Sequence, residues 1–329
     1  MGLLVHRKSN SWRWLLVPLA GLLLFTLAAK TEKGIKNRNE VTQMEQIKLN
    51  VLNNAEKAVI IDKGTERAFS GKYYDNYKAG LYLCRQCNAP LYRADDKFKS
   101  GCGWPSFDDE LPGAVKQLKD ADGRRIEILC SKCGAHLGHL FPGEKFTPKN
   151  SRHCVNSISM RFVDAKSAQY GRVIFGGGCF WGVDYYLQQQ PGVIVTTVGY
   201  SGGKTAYPTY HEVCSGKTGH IEAVEVIFDP QLTNFTKLAK YFFTIHNPTQ
   251  LKRQGPDVGE QYSSVIFYAN EFQRKAAETI IAELKKQGIK VVTKVTAFTR
   301  FWPAEAYHQN YYRKKGGVPY CHGPVKKQK

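Results

Sequence analysis

The sequence predicts a multidomain protein with two globular domains, the first organised by cysteine pairs and the second combining strands with helices. Its 329 residues suffice for two domains with separate cores, and 42% of them are hydrophobic, as in globular proteins. Two C-x-x-C pairs, at 84–87 and 130–133, both fall in the first half. The segment RVIFGGGCFWGVDYYLQQ at 172–189 indicates a strand, a glycine turn and a helix that begins near Phe180.

Residues 1–29 are predicted to be a signal peptide or a membrane anchor. Three basic residues precede an apolar run from Leu15 to Ala29, which is short for a membrane span of about 20 residues. A basic start, an apolar core and a small-residue end are typical of a secretion signal. The polar segment at 30–55 is predicted to be a tether. We therefore expect export, into a bacterial periplasm, of a protein that is soluble or held by its N-terminal segment.

The charge distribution argues against a nucleic-acid partner. The formal net charge is +19, which alone would favour an anionic surface. The lysines are scattered, however, with only short clusters such as KK at 314–315. Because dispersed basic residues are typical of a solvated surface, we expect no nucleic-acid binding. Contact with a membrane is expected only through residues 1–29, if that segment is retained.

The C-x-x-C pairs predict one structural zinc ion. The motifs CRQC and CSKC can each place two thiolates on one side of a turn, so that Cys84, Cys87, Cys130 and Cys133 complete a tetrahedral site. Two vicinal disulfides or a redox dithiol are the alternatives, but neither pair lies in the βαβ context typical of a redox motif. Four sulfur ligands leave no open position, so this metal would not be catalytic.

A second group of reactive side chains surrounds Cys154. His136 and His139 have no carboxylate nearby in the sequence to complete a metal site, so they are better suited to act as an acid, a base or a hydrogen-bond donor. Arg152, two residues before Cys154, would favour its thiolate. The alternating segment VNSISMRF that follows predicts a single strand with Cys154 at its entrance.

Five motifs between residues 60 and 163 resemble the methionine-R-sulfoxide reductases, the MsrB family. They are GTERAFSGKY, the paired C-x-x-C motifs, SGCGWPSF, GAHLGHLF and RHCVNSISMRF. The resemblance implies a mostly-β, zinc-binding domain, which we place at 56–165, with Cys154 as nucleophile and Cys102 as resolving cysteine. It further implies a substrate pocket shaped by Trp104, His136, His139, Arg152 and Asn156, in which His139 is also a candidate acid or base.

The second domain contains a cysteine at the predicted start of a helix. The positive end of that helix would favour the thiolate of Cys179. Glu222 precedes the apolar strand AVEVIF, and Tyr210 and Tyr262 could donate hydrogen bonds. Taken singly, these residues are better explained as a solvated glutamate and two core tyrosines with satisfied hydroxyls. Cys214 is predicted to be a buried hydrophobic residue.

The second domain resembles the methionine-S-sulfoxide reductases, the MsrA family, over 171–322. The motifs are GGGCFWG, YSGG, PTYHEVCSGKTGH, HNPTQ, GPDVGEQYSS, WPAEAYHQNYY and YCHG. The resemblance implies an α+β two-layer domain, which we place at 170–325. It implies Cys179 as nucleophile, Glu222 as proton donor and Cys321, in a glycine-rich tail, as resolving cysteine. It also implies oxygen-binding hydroxyls on Tyr210 and Tyr262, methyl-binding walls from Phe180 and Trp181, and a supporting role for Asp257.

Together the resemblances imply an enzyme that reduces both epimers of methionine sulfoxide, since each family acts on one of them. The expected substrates are oxidised proteins, with free methionine sulfoxide as a further candidate. Thiolate attack, a sulfenic acid and a disulfide would follow one another, and a thioredoxin-like partner would reduce the disulfide without an organic cofactor. An exported zinc-dependent binding or structural protein is the alternative. A thiol–disulfide oxidoreductase is disfavoured because neither nucleophile lies in a C-x-x-C motif.

Overall fold

The computed structural model describes residues 47–120, 123–167 and 169–323. The predicted signal and most of the predicted tether lie outside these residues. The chain divides into a unit at Met1–Lys48 and a compact unit at Leu49–Lys329, which contains both predicted domains. No helix in the described ranges is long and apolar enough to cross a bilayer.

The first domain is mostly β, as the resemblance implied. Its elements are α1 (Asn54–Ile60), β1 (Gly80–Cys84), β2 (Pro90–Arg93), β3 (Lys97–Phe98), β4 (Ser106–Phe107), β5 (Val115–Lys119), β6 (Ile126–Cys130), β7 (His136–Pro142), β8 (Ser151–Val155) and β9 (Met160–Asp164), with 3₁₀ turns at Ala94–Asp96 and Ser157–Ser159. One antiparallel sheet has the strand order β2-β1-β9, and the other has the order β3-β4-β8-β7-β6-β5.

Helix α1 fixes the start of the first domain. Asn53 caps it by accepting a 2.9 Å hydrogen bond from the backbone N–H of Glu56, whose carboxylate accepts one from the backbone of Asn53 in return. The Glu56 carboxylate also pairs with Arg85 at 2.6 Å. Leu52 is buried in the core of this domain. The compact fold therefore begins before residue 56, inside the segment that the sequence assigned to the tether.

The segment VNSISMRF is not one strand, so the prediction is wrong there. Cys154 lies within β8 instead of at a strand entrance, and the 3₁₀ turn at Ser157–Ser159 separates β8 from β9. The Glu66 carboxylate accepts hydrogen bonds from the backbone N–H groups of Ser157 and Ile158. These groups are thereby removed from any sheet ladder, and the chain turns between the two sheets.

The second domain has one mixed six-stranded sheet and several helices. Its elements are β10 (Arg172–Gly177), α2 (Phe180–Leu187), β11 (Val193–Ser201), α3 (Tyr210–Cys214), β12 (Ile221–Phe228), α4 (Phe235–Ile245), β13 (Arg253–Gln254), β14 (Asp257–Val258), β15 (Ser264–Tyr268), α5 (Glu271–Lys286), β16 (Lys294–Ala297), β17 (Phe301–Pro303) and α6 (Tyr311–Lys315), with a 3₁₀ turn at Glu260–Tyr262. The strand order is β16-β15-β10-β12-β11-β17, with only β15 and β16 parallel among the described pairs of this sheet. The predicted strand, glycine turn and helix at 172–189 are confirmed.

Helices α2, α4 and α5 pack against the sheet through one apolar core. Phe175 of β10 stacks on Phe242 of α4 with ring centroids 4.7 Å apart. Val183 of α2 and Ile280 of α5 are buried in the same cluster. A helical layer on a sheet is the expected α+β arrangement.

The two domains share a small apolar core within the compact unit. Ile227 of β12 packs in one cluster with Leu81, Leu111 and Val163 of the first domain. Side chains two residues apart in a strand lie on the same face of the sheet. Glu225 therefore also faces the first domain, and it is 0% exposed.

Glu225 is neutralised by an arginine from each domain. Its carboxylate pairs with Arg93 of β2 at 2.5 Å and with Arg172 of β10 at 2.6 Å. Asp96 and Asp95 bind the outer sides of these two guanidinium groups. Burial alone would raise the pKa of Glu225, but the two arginines outweigh it and hold the pKa below its ordinary value. We call these five residues the interdomain charge cluster, which the sequence analysis did not anticipate.

Candidate functional site

The four C-x-x-C cysteines converge on one point. Their sulfur atoms all lie within 4.8 Å of one another. The Sγ atoms of Cys84 and Cys133 are 3.6 Å apart, and those of Cys87 and Cys130 are 3.7 Å apart. Thiolates bound about 2.3 Å from a tetrahedral zinc ion would be about 3.8 Å from each other. The donor set therefore fits a tetrahedral metal ion held by four thiolates.

Each cysteine pair lies on a tight turn at the end of a strand. The backbone N–H of Asn88 donates to the carbonyl of Cys84 at 2.9 Å, and Gly134 donates to Cys130 in the same way at 2.8 Å. The fifth residue of each turn has a positive φ, 59° at Asn88 and 75° at Gly134. Asparagine and glycine are the residues that tolerate this conformation best, which explains why they follow the two motifs.

Cys102 and Cys154 form a thiol pair in the first domain. Their Sγ atoms are 3.8 Å apart. The interaction with Cys154 lowers the pKa of Cys102 to about 4, with further help from the hydroxyls of Ser100 and Ser106, while the same interaction and burial raise the pKa of Cys154. The two thiols are therefore coupled, and the negative charge left when the pair loses its first proton is shared between two sulfur atoms.

Arg152 stabilises that negative charge. Its Nη1 atom is 3.3 Å from the Cys102 sulfur, while the Glu144 carboxylate holds the other side of the guanidinium group. The guanidinium lies over the ring of Phe141, 4.4 Å from its centroid. The sequence predicted that Arg152 favours a thiolate at Cys154. It does lower the pKa of Cys154, but the pairing with Cys102 and burial outweigh this effect.

Both predicted histidines have carboxylate partners that the sequence did not indicate. Nδ1 of His136 is 2.7 Å from Glu127, and Nε2 of His139 is 3.2 Å from Asp120. His139 pairs in register with Cys154 across β7 and β8, so both side chains lie on one face. Within the described ranges, the buried Nε2 of His136 has no hydrogen-bond partner, and burial lowers the pKa of this histidine despite Glu127.

Trp104 and Asn156 are held in place by Glu66, a residue that the sequence analysis did not single out. The Trp104 indole N–H donates to the backbone carbonyl of Glu66 at 3.0 Å, and Asn156 accepts from its backbone N–H at 3.1 Å. The Asn156 amide also donates to the carbonyl of Leu137 at 3.1 Å. Both polar ends of Asn156 are thus bonded to the main chain. The one sequence feature that could have indicated this role of Glu66 is its place in the motif GTERAFSGKY.

Cys179 lies at the N-cap of α2, as predicted, but its thiolate is not favoured there. The neighbouring thiol of Cys321 and burial raise its pKa, outweighing the backbone N–H of Trp181. The carboxylate of Glu222 accepts the backbone N–H of Phe180 at 3.0 Å. Glu222 is 1% exposed, and burial, then the charge of Cys179, raises its pKa well above the ordinary range. The protonated form of Glu222 is therefore favoured beside the thiol.

The predicted aromatic walls differ in exposure. Trp181 is partly exposed and stacks on Tyr311 with centroids 3.8 Å apart, and its indole N–H donates to Nδ1 of His308 at 3.2 Å. The ring of His308 is 4.4 Å from that of Tyr210. Phe180 is only 1% exposed and belongs to the core beneath them. His308 was missed, although its motif, WPAEAYHQNYY, was part of the resemblance.

The remaining predicted residues lie around the carboxyl group of Glu222, and they are Tyr210, Tyr262 and Asp257. Burial raises the pKa of both Tyr210 and Tyr262, and at Tyr210 the side chain of Cys214 adds to this effect, so both hydroxyls are protonated donors. One oxygen of Asp257 accepts from the Tyr320 hydroxyl at 3.3 Å, and the other is buried without a partner in the described part of the chain.

Cys214 is exposed, so the prediction that it is buried is wrong. Helix α3 has only five residues, and the preceding residue, Val213, occupies the core position at 1% exposure. The next position of a helix is rotated by about 100°, which turns Cys214 towards solvent. This cysteine is therefore separate from the four that form the thiol pairs.

Two family models match the chain side by side. One, described as SelR domain, matches residues 52–164, and the other, described as Peptide methionine sulfoxide reductase, matches residues 171–329. Peptide methionine sulfoxide reductase MsrA of Nautilia profundicola is 49% identical over 150 residues, 46% of this chain and 87% of that protein. MsrA of Methanosarcina acetivorans is 49% identical over 148 residues, 44% of this chain and 79% of that protein. A crystal structure of reduced Mxr1 from Saccharomyces cerevisiae is 30% identical, with a TM-score of 0.45, covering 47% of this chain and 92% of that one.

Proposed function

Because the chain belongs to the peptide methionine sulfoxide reductases, with an MsrB-type SelR domain followed by an MsrA domain, we propose that each domain reduces one epimer of methionine sulfoxide with its own thiol pair. The first domain acts on the R-epimer and the second on the S-epimer, mainly in oxidised proteins. The observation that carries this proposal is the presence of two separate pairs, Cys102 with Cys154 and Cys179 with Cys321, beyond the four metal-site cysteines. A binding or structural protein has no use for such pairs.

In the first domain we assign nucleophilic attack to Cys154. The sulfoxide oxygen needs a hydrogen-bond donor as it gains charge, and the imidazole of His139, whose Nε2 binds Asp120, donates to it from Nδ1 when the ring is protonated. Cys154 passes its proton to the Cys102 thiolate, which Arg152 stabilises. The attacking thiolate therefore forms without a proton transfer to water. The sulfoxide sulfur gains two electrons and its oxygen moves to Cys154, where it takes the proton back from Cys102 to form the sulfenic acid as methionine leaves.

In the second domain Glu222 supplies the proton. Its raised pKa favours the protonated form, from which it can donate to the sulfoxide oxygen while the sulfur of Cys179 attacks. The proton of Cys179 then returns to Glu222, which leaves the step balanced. The hydroxyls of Tyr210 and Tyr262 bind the oxygen, and Trp181 contacts the substrate methyl group.

Each sulfenic acid is resolved by the second thiol of its pair. Cys102 and Cys321 form disulfides with the nucleophiles and release water. An external dithiol protein of the thioredoxin class then reduces each disulfide by exchange.

Replacing a resolving cysteine should therefore stop turnover after one cycle. With Cys102→Ser or Cys321→Ser we expect one methionine per affected site, followed by a stall when the reductant is a thioredoxin-type protein, because sulfur attack needs only the nucleophile. Methionine released per site is measured by rapid quench. Cys214→Ser, which changes the exposed cysteine, is the matched control and should turn over normally. Full multiple turnover by Cys321→Ser would refute its resolving role, and a stall of the control would transfer that role to Cys214.

We propose that the four-cysteine site holds one zinc ion. Zinc would link the turn after β1 to the turn after β6 and supply folding energy without taking part in the reaction. Structural zinc contributes about 10–16 kcal/mol in small zinc domains, which is comparable to the whole stability of an ordinary domain, about 5–15 kcal/mol. The first domain should depend on it.

Removing one ligand tests the zinc proposal. In Cys84→Ser or Cys130→Ser we expect the metal content to fall from one zinc per chain to none and R-epimer reduction to be lost, because the first domain no longer folds. Metal is measured by plasma mass spectrometry, with Cys214→Ser as control. Purified wild-type protein without zinc, and with Cys84–Cys87 and Cys130–Cys133 disulfides, would contradict the proposal.

We further propose that the protein works outside the cytoplasm, in a bacterial periplasm. The basic start, short apolar run and small-residue end of residues 1–29 support this location. Because that compartment is kept oxidising, the electrons must come from a thioredoxin-fold protein that is itself reduced across the membrane. Cell fractionation that finds the intact chain in the cytosol would overturn both the location and the partner.

A further inference from the structure

A buried histidine directly follows the resolving cysteine of the second domain. Nδ1 of His322 is 3.0 Å from the sulfur of Cys321, and the histidine is 7% exposed. Neither the motif YCHG nor the resemblance assigned it a role. We propose that His322 is the general base that takes the proton of Cys321 when the Cys179–Cys321 disulfide forms. This inference rests on the proposed function of the two cysteines.

The hydrogen bonds of the ring define which nitrogen can accept the proton. Nε2 of His322 is 2.7 Å from the carbonyl oxygen of Gly177. A carbonyl can only accept, so Nε2 carries the hydrogen and Nδ1 presents its lone pair to Cys321. Burial lowers the pKa of His322, although Gly177 and Asp257 oppose it. The ring is therefore neutral at pH 7 and able to act as a base.

Two glycines, Gly178 before α2 and Gly182 within it, provide the space for this ring. A Cβ atom at Gly182 would overlap the imidazole, and one at Gly178 would lie 3.3 Å from its Cε1 atom and overlap Gln254. The backbone of the tail is also fixed, since Gly323 donates to the carbonyl of Ile245 at 3.1 Å. The glycines of GGGCFWG thus let the tail segment bring its histidine and cysteine against the nucleophile.

The proton movement balances the resolving step. His322 takes the proton from Cys321, whose sulfur attacks Cys179 and displaces hydroxide from the sulfenic acid. The hydroxide takes the proton back and leaves as water, so that Cys321 is oxidised and the sulfur of Cys179 is reduced. The titratable groups that face this centre are Cys179, Asp257, His246, Tyr186, Tyr312 and Tyr320.

The pH profile of the wild-type chain is the first test. Disulfide formation is started by one turnover of the S-epimer, quenched by alkylation and followed as the Cys179–Cys321 peptide in mass spectra. An unassisted thiol ionises near about pH 8.5, so its rate would rise about tenfold per pH unit below that value. With a neutral base in place we expect the rate to be nearly constant between pH 7 and 8. A tenfold rise over this interval would overturn the proposal.

The second test is His322→Gln, whose amide can still donate to Gly177 but cannot take a proton. We expect the disulfide to form about 10²-fold more slowly at pH 7, with the wild-type rate approached as the pH is raised to 9. His211→Gln, the same change at an exposed histidine, should match the wild-type rate. A variant rate equal to wild type, or a slow rate that does not recover at pH 9, would overturn the base role. Absence of methionine release from the wild-type chain in the same samples would instead overturn the proposed function.

Discussion

Cys179→Ser is expected to abolish reduction of the S-epimer and to spare reduction of the R-epimer, and Cys154→Ser should do the reverse. A serine hydroxyl does not ionise near pH 7, so the attacking thiolate is lost while the fold is retained. Removing a covalent nucleophile costs about 10⁶-fold in rate in a well-studied hydrolase, so the affected activity should fall below detection. The measurement is methionine formation from each separate epimer with a small dithiol as reductant.

The double variant Cys154→Ser/Cys179→Ser tests whether another cysteine can act as a nucleophile. It should be inactive on both epimers. Each protein must show the same urea unfolding curve as the wild-type chain. If either single change removes both activities in a folded protein, the two sites are not independent. If the double variant remains active, a different cysteine is the nucleophile.

Glu225→Ala is expected to reduce the free energy of unfolding by about 3–5 kcal/mol, the usual effect of breaking a buried ion pair by removing one partner. The change leaves the guanidinium groups of Arg93 and Arg172 buried, at 1% and 2% exposure, without the carboxylate between them. Because Arg93 belongs to the first domain and Arg172 to the second, both activities should be lost at lower urea concentrations. Urea unfolding followed by fluorescence and by the two activities measures the effect.

Glu278→Ala is the matched control for this change. Glu278 pairs with Arg274 at 2.8 Å on the exposed face of α5, where removal of an ion pair should change the stability by no more than about 0.5 kcal/mol. If Glu225→Ala changes the free energy of unfolding as little as this control does, the interdomain charge cluster does not stabilise the fold. If only S-epimer reduction becomes sensitive to urea, the cluster does not couple the two domains.

The effect of Glu225 should depend on pH in a defined direction. The arginines hold its pKa in the folded protein below its ordinary value, which is about 4.3 in the unfolded chain. Its stabilisation is therefore present above that ordinary value and is lost as the pH falls through the lower folded pKa. The difference in unfolding free energy between the wild-type chain and Glu225→Ala should shrink in strong acid.

Local sequence patterns predicted the parts of the molecule that depend on neighbouring residues. The strand, glycine turn and helix around Cys179 follow from residues close in sequence, and so do the two cysteine turns. The failure at the strand after Cys154 depends on a distant side chain. Glu66 ends the predicted strand after Cys154 by binding backbone N–H groups 91 and 92 residues away.

The residues next to Arg93 and Glu225 in the sequence do not indicate that these two side chains meet between the domains. Arg93 and Glu225 are 132 residues apart, and a charged residue in a short strand usually indicates a solvated face. Cys214 was misjudged because a helix of five residues is too short for its periodicity to be read. His322 was overlooked for the same reason as Glu225, since its function depends on the carbonyl of Gly177, 145 residues earlier.

The two thiol pairs predict that one chain carries two complementary reductase sites. The most direct measurement is an assay of the purified full-length wild-type chain on a peptide containing either pure S- or pure R-methionine sulfoxide, with methionine resolved by chromatography. We predict that both epimers are converted, and that an equal mixture is consumed to completion. Conversion that stops at half of the mixture, or that leaves either pure epimer unchanged, would contradict the claim.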